Sequence, residues 1–152
     1  MARASAKLPA HFCNVDLDVF SPRPLDVLAQ AMEKCGTYTL HCGRFHRGGY
    51  RASFEVNRWS LDADETIKEL GRAVGRLPGP ARRAFDRARL RDFSIGIQAG
   101  KEPHAFELSV STESLAVITA LRGRLSVTVY SVKTAKQLAG PVASKARKKK
   151  SR

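Results

Sequence analysis

Arginine is the side chain through which this sequence could do most chemistry. Residues 72–91 contain Arg72, Arg76, Arg82, Arg83, Arg87, Arg89 and Arg91, with Asp86 as the only acid, a local net charge of +6. A guanidinium presents a planar fork of N–H donors that matches phosphate or carboxylate oxygens, so this run suits the binding of anions. A second cluster, Arg44, Arg47 and Arg51 with His46, surrounds Gly48-Gly49 and alternates with Phe45 and Tyr50. Cations mixed with rings on which a base can stack are a pattern of nucleic-acid surfaces. Local pairing competes for some of these forks: Asp86 stands at helical spacing from Arg82 and Arg83, and Glu69 from Arg72. Several forks remain for a partner.

Three other groupings could carry catalysis or metal binding. Asp16 and Asp18 lie two apart in an alternating segment, so they share one face of a strand about 7 Å apart, close enough to share a cation or to act as acid and base. No Asp-rich loop supplies further oxygen ligands. His41, Cys42 and His46 have the residue types of a zinc site, but neighbours in a strand point to opposite faces, so distant partners would be needed. Glu102, His104 and Glu107 place an imidazole near carboxylates, as general acid-base chemistry requires, and a solvated turn accounts for them equally. The phosphate-cradling loop, the nucleophile elbow, the His-Glu-x-x-His helix and the dinucleotide fingerprint are all absent. No catalytic residue, metal site or cofactor is assigned from the sequence.

The overall charge has a simple anatomy. Of the net +13, residues 133–152 contribute eight Lys/Arg and no acid, and Arg3 and Lys7 add two more. Residues 11–132 carry 17 bases against 14 acids, so most of the basicity lies outside the part with hydrophobic periodicity. No apolar run approaches the roughly 18 residues that span a bilayer, and Met1–Ala10 lacks the apolar stretch of a secretory signal. The expectation is a cytoplasmic protein with no membrane partner. Cys13, Cys35 and Cys42 are too few, and of the wrong parity, for a disulfide framework.

The elements that must position these residues follow from period and punctuation. Asn14–Val19 alternates with period two and predicts a strand. Ser21, Pro22 and Pro24 introduce a helix with the stripe Leu25, Leu28, Ala29 and Met32, and Gly36 stands where a left-handed cap belongs. Tyr38–Cys42 and Tyr50–Val56 alternate on either side of Gly48-Gly49 and predict a hairpin. Asp62 or Asp64 caps a helix bearing Ile67, Leu70, Val74 and Leu77, which Pro78-Gly79-Pro80 ends. A shorter helix has Ala81, Ala84, Phe85 and Ala88 on its inner face. Phe93–Ala99 and Phe106–Val110 predict a second hairpin. Ser111 or Thr112 then caps a helix with Leu115, Ile118 and Leu121, and Leu125–Val129 forms the last strand. The order is β-α-β-β-α-α-β-β-α-β, an α+β fold with helices on one face of a largely antiparallel sheet. Residues 11–132 form the single domain, residues 1–10 a disordered head, and 133–152 a disordered lysine-rich tail that cannot bury enough surface to offset its ordering entropy.

The string Phe106–Leu115, followed by Leu121 and by Val127-Thr128-Val129-Tyr130, resembles the closing module of a family of uncharacterised bacterial α+β domains, as does the opening Val15-Asp16-Leu17-Asp18 strand. The resemblance spans most of residues 12–132 and implies an architecture, with no activity to transfer. Taken together, the residues lead to a small binding module. Its Arg-rich helix, its hairpin cluster and the tail lysines Lys148, Lys149 and Lys150 would engage an acidic partner, nucleic acid first among them. The alternatives are an interaction or adaptor protein using the same arginines on another protein, and a small enzyme built on Asp16/Asp18 or His104.

Overall fold

A strand that buries every second residue must lay those residues under a second layer, and the first strand shows which side that layer takes. In the computed structural model, which describes residues 9–57, 61–101 and 104–132, β1 runs His11–Ser21 and buries Val15, Leu17 and Val19 completely. Helix α1 (Asp26–Lys34) follows, then β2 (Thr37–Arg44) and β3 (Tyr50–Val56), which are joined by the Gly48-Gly49 turn with both glycines at positive φ. Helices α2 (Ala63–Gly75) and α3 (Gly79–Asp86) precede β4 (Leu90–Gln98), and α4 (Thr112–Ala120) leads into β5 (Arg124–Tyr130). The sheet order is β2-β3-β1-β4-β5. Three of its pairings are antiparallel, and β4 with β5 is parallel. The α+β class and the single layer of helices stand as expected.

The punctuation works as local chemistry demands. Asp62 accepts from the Glu65 N–H at the start of α2, Ser111 accepts from the Ser114 N–H at the start of α4, and Gly36 (φ 89°) follows the C-cap of α1. Ile67, Leu70, Val74, Ala81 and Phe85 are buried against Phe54, Phe93 and Ile95 of the sheet. A Cβ on Gly71 would overlap a methyl of Val117, so the missing side chain is what lets α2 and α4 touch. Asp64, no longer needed as a cap, accepts from the Ser111 N–H and pairs with Lys68. The Lys68 ammonium and that amide hold its carboxyl well below the usual carboxylate range.

Two expectations fail, both near the second hairpin. Residues 106–110 form no strand, so among the described residues the sheet has five strands and not six. Both edges of β4 are taken, one by β1 and the other by β5, which leaves Phe106–Val110 no edge of β4 on which to form the expected hairpin. The alternation there has another origin: Leu108 and Val110 pack on the core while their neighbours face solvent. The chain from β4 to β5 is consequently a crossover through α4, as a parallel pair requires. The expected burial of Leu115 also fails, since it is 44% exposed, while Ile118 at 5% holds α4 to the sheet. Among the described residues no helix is long and apolar enough to cross a membrane. The expected lysine-rich tail, with Lys148, Lys149 and Lys150, and most of the expected head lie outside the described residues.

Candidate anion-binding site

The end of the sheet where β1 finishes collects the basic residues. Antiparallel pairing puts Ser21 beside Tyr50 and Phe20 beside Leu90, so the β2–β3 turn and the start of β4 both arrive at the same corner. The Phe20 ring meets Phe45 edge-on at 5.2 Å, and Phe45 in turn lies 4.5 Å from His46. A Cβ on Gly49 would sit 2.6 Å from the Ser21 carbonyl oxygen, which is how closely the turn abuts β1. From the other side, the Arg89 N–H donates to the Phe20 carbonyl at 2.8 Å. Two arginine clusters separated by some thirty residues in the chain thus flank one short segment, Phe20–Pro22.

Beside that segment is a cleft of about 420 Å³ lined by Arg23, Arg83 and Arg87, with Pro22, Pro24 and Pro80 among its walls. Arg23 comes from the Ser-Pro-Arg-Pro corner between β1 and α1, where Ser21 Oγ accepts from the Arg23 N–H at 3.0 Å and turns the chain. Arg83 and Arg87 lie one helical turn apart at the end of α3 and share a side of it with Pro80 and Ala84. All three arginines are exposed, no carboxylate lines the cleft, and none of the three has an ion-pair partner among the described residues.

The remaining arginines separate by environment. Arg44 lies over the Tyr50 ring at 5.6 Å, and Arg47 is exposed in the turn; both remain available at the corner. Arg51 reaches Asp18 at 2.9 Å and stacks on Phe20 at 5.9 Å, so its charge is largely spoken for. Arg82 binds both oxygens of Asp86, and Arg72 binds Glu69 at 2.7 Å. Arg76 donates to the Cys35 carbonyl at the opposite end of the sheet, where Thr37 pairs with Val56. Arg89 is exposed just past α3. Arg91 is a correction: it is 7% exposed, donates twice to the Phe85 carbonyl (3.0 and 2.8 Å) and once to that of Asp86, and lies over the Phe85 ring. It closes the end of α3, with two of its guanidinium nitrogens held by backbone carbonyls.

The face of the sheet away from the helices gathers carboxylates around the Asp16/Asp18 pair. Asp18 stands directly across from Asp92, with Ser53 beside it on β3 and Arg124 beside Asp92 on β5. Like charges opposite one another are unfavourable, and each is compensated separately: Asp18 by Arg51 and the Ser53 hydroxyl, Asp92 by Arg124 at 2.6 Å. Among the described residues Asp16 has only Asn14 as a hydrogen-bond partner, whose amide donates to it at 2.8 Å. Burial, then the nearby Glu55 and Asp18, push its carboxyl up from 3.8 to about 6. Glu55 and Asp92 were invisible as partners in the sequence because they arrive from other strands. His104 stays in the exposed loop after β4 with no hydrogen bond or ion pair among the described residues. His41 is exposed and Cys42 half-buried, and no group of three or more metal-binding side chains occurs among the described residues. Cys13, Cys35 and Cys42 are free thiols.

The raised Asp16 carboxyl has a stability consequence. Between about pH 4 and pH 6 the unfolded chain has lost a proton that the folded chain keeps, so stability falls as pH rises through that window and the loss is complete above it. Asp16→Asn is therefore expected to stabilise the domain relative to wild type more at pH 7.5 than at pH 4, read from urea denaturation at the two pH values. An equal difference at both would mean that Asp16 ionises in the fold as it does in water.

Comparison with family models, with curated proteins and with solved structures finds no match for this chain. The functional reading rests on its own residues.

Proposed function

We propose that this domain binds nucleic acid through phosphate contacts at the arginine-lined end of its sheet. The observation that carries the reading is the convergence of the hairpin cluster and the α3 arginines on Phe20–Pro22, which turns two sequence clusters into neighbouring parts of one surface. Phosphate contacts supply affinity without sequence discrimination, and the aromatic-containing turn adds rings to the same corner. The eight basic residues of 133–152 would extend the contact by charge alone. An acidic protein is the second possible partner for these arginines. The Asp16 face supports an enzyme less well: the cleft beside it, lined by Asn14 and Glu55, holds about 30 Å³, far below the volume of pockets that take small molecules.

The test is a salt titration on one random-sequence duplex, with three proteins compared: full length, Arg83→Ser/Arg87→Ser, and the chain ending at residue 132. Each phosphate neutralised adds about 0.9 to the slope of log affinity against log salt. The double substitution is expected to lower that slope by about one to two, and the truncation by several, with melting temperatures nearly unchanged because exposed unpaired charges contribute little to stability. Wild-type binding by the double variant would remove the arginine corner from the interface. Absence of duplex binding by all three, together with recovery of one stoichiometric protein in a pull-down, would replace nucleic acid with a protein partner.

A further inference from the structure

We propose that the cleft at the β1–α1 corner is a pocket for the terminal phosphomonoester of a nucleotide. This rests on the nucleic-acid reading and narrows it: the cleft recognises a chain end, while Arg44, Arg47 and the tail contact the backbone that leads away from it.

The cleft matches such a group in charge and in donors. Arg23, Arg83 and Arg87 bring three positive charges and three donor forks into one cleft. A phosphodiester inside a strand carries one charge and two terminal oxygens, which one or two forks satisfy. A phosphomonoester carries about 1.5 to 2 charges and three acceptor oxygens at neutral pH, the complement that three forks call for. Neither of the nearby carboxylates lines the cleft. Asp86, the only acid on α3, is held by Arg82 on another side of the helix. Asp26, in the first turn of α1, is not among the residues that line the cleft.

The walls suit the rest of a nucleotide. Pro22, Pro24 and Pro80 are stiff apolar surfaces beside the cationic groups, against which a sugar or base can rest. The volume, about 420 Å³, lies in the range of pockets that hold small molecules. The cleft is anchored on both sides. Pro24 and Leu25 lead into α1 with Leu25 fully buried, and Ala81 and Phe85 bury the opposite side of α3. The arginines therefore project from fixed backbone.

The experiment is fluorescence anisotropy at near-physiological salt. It uses one 12-nucleotide single strand carrying a 5′-phosphate, a 3′-phosphate or only hydroxyl ends, and the binding of adenosine monophosphate and of adenosine is read separately by isothermal titration calorimetry. A strand with a phosphorylated end is expected to bind about tenfold more tightly than the hydroxyl-ended strand. That preference is expected to vanish in Arg87→Ser and, independently, in Arg23→Ser, both exposed positions on separate elements, while residual binding to the hydroxyl-ended strand persists. Equal binding of phosphorylated and hydroxyl-ended strands by wild type overturns the pocket and leaves the nucleic-acid reading standing. If no strand binds but the monophosphate does, and adenosine does not, the pocket stands with a free nucleotide as its ligand and the polymer reading falls. If neither strand nor monophosphate binds, both fall.

Discussion

Ile118→Ala is expected to lower the unfolding free energy by about 2 to 5 kcal/mol, whereas Leu115→Ala, three residues earlier on the same helix, is expected to change it by less than about 1 kcal/mol. Both are large apolar side chains and both belong to the same periodic stripe. Their environments differ: Ile118 is 5% exposed and Leu115 44%. Ser114 and Ile118 are the buried residues of α4, so Ile118 supplies most of the apolar area that holds this helix down. It also sits in the tight corner where a Cβ on Gly123 would touch both Phe93 and Ile118, so the space left by truncation is walled by rigid groups and closes poorly. Urea denaturation of the two variants checks this. Similar values for both would mean that α4 is held by its ends, through Asp64 and Ser111, and not by its apolar stripe.

Arg91→Met is expected to cost about 2 to 4 kcal/mol, an unusually large effect for replacing a cation in a strongly basic chain. The buried guanidinium donates to the Phe85 carbonyl, which also accepts from the Ala88 N–H at 3.1 Å, and to the Asp86 carbonyl at the end of α3, and it covers the Phe85 ring. Methionine keeps much of the length and removes every donor. The amides of Arg87 and Ala88, which close the last turn of α3, should lose protection in hydrogen exchange while those of β1 keep theirs. Because α3 carries Arg83 and Arg87, affinity for the duplex should fall along with stability, whereas Arg87→Ser should lower affinity alone. A stability change below about 1 kcal/mol would show that water replaces the guanidinium at those carbonyls.

What the sequence determined by itself are the features settled by near neighbours. Asp62 and Ser111 cap their helices because a side-chain oxygen reaches an amide three residues on. Gly36, Gly48 and Gly49 turn the chain because a Cβ would oppose positive φ. Strict alternation in Val15–Val19 and Ala52–Val56 identified buried faces correctly. The same alternation in Phe106–Val110 misled, because period two reports that one side of a segment is dry. It does not report whether another strand is available to complete a ladder, and β4 had both edges occupied. The arginines show the limit most clearly. Arg83, Arg87 and Arg91 are chemically identical in one run of residues, yet two line a cleft and the third is buried under helix carbonyls. Arg23, which no cluster singled out, completes the cleft from sixty residues away. A guanidinium is long and satisfied by whatever oxygen its fork can reach. Whether it pairs, is buried or remains open to a ligand depends on atoms brought there by sheet register and helix packing, which only the tertiary structure decides.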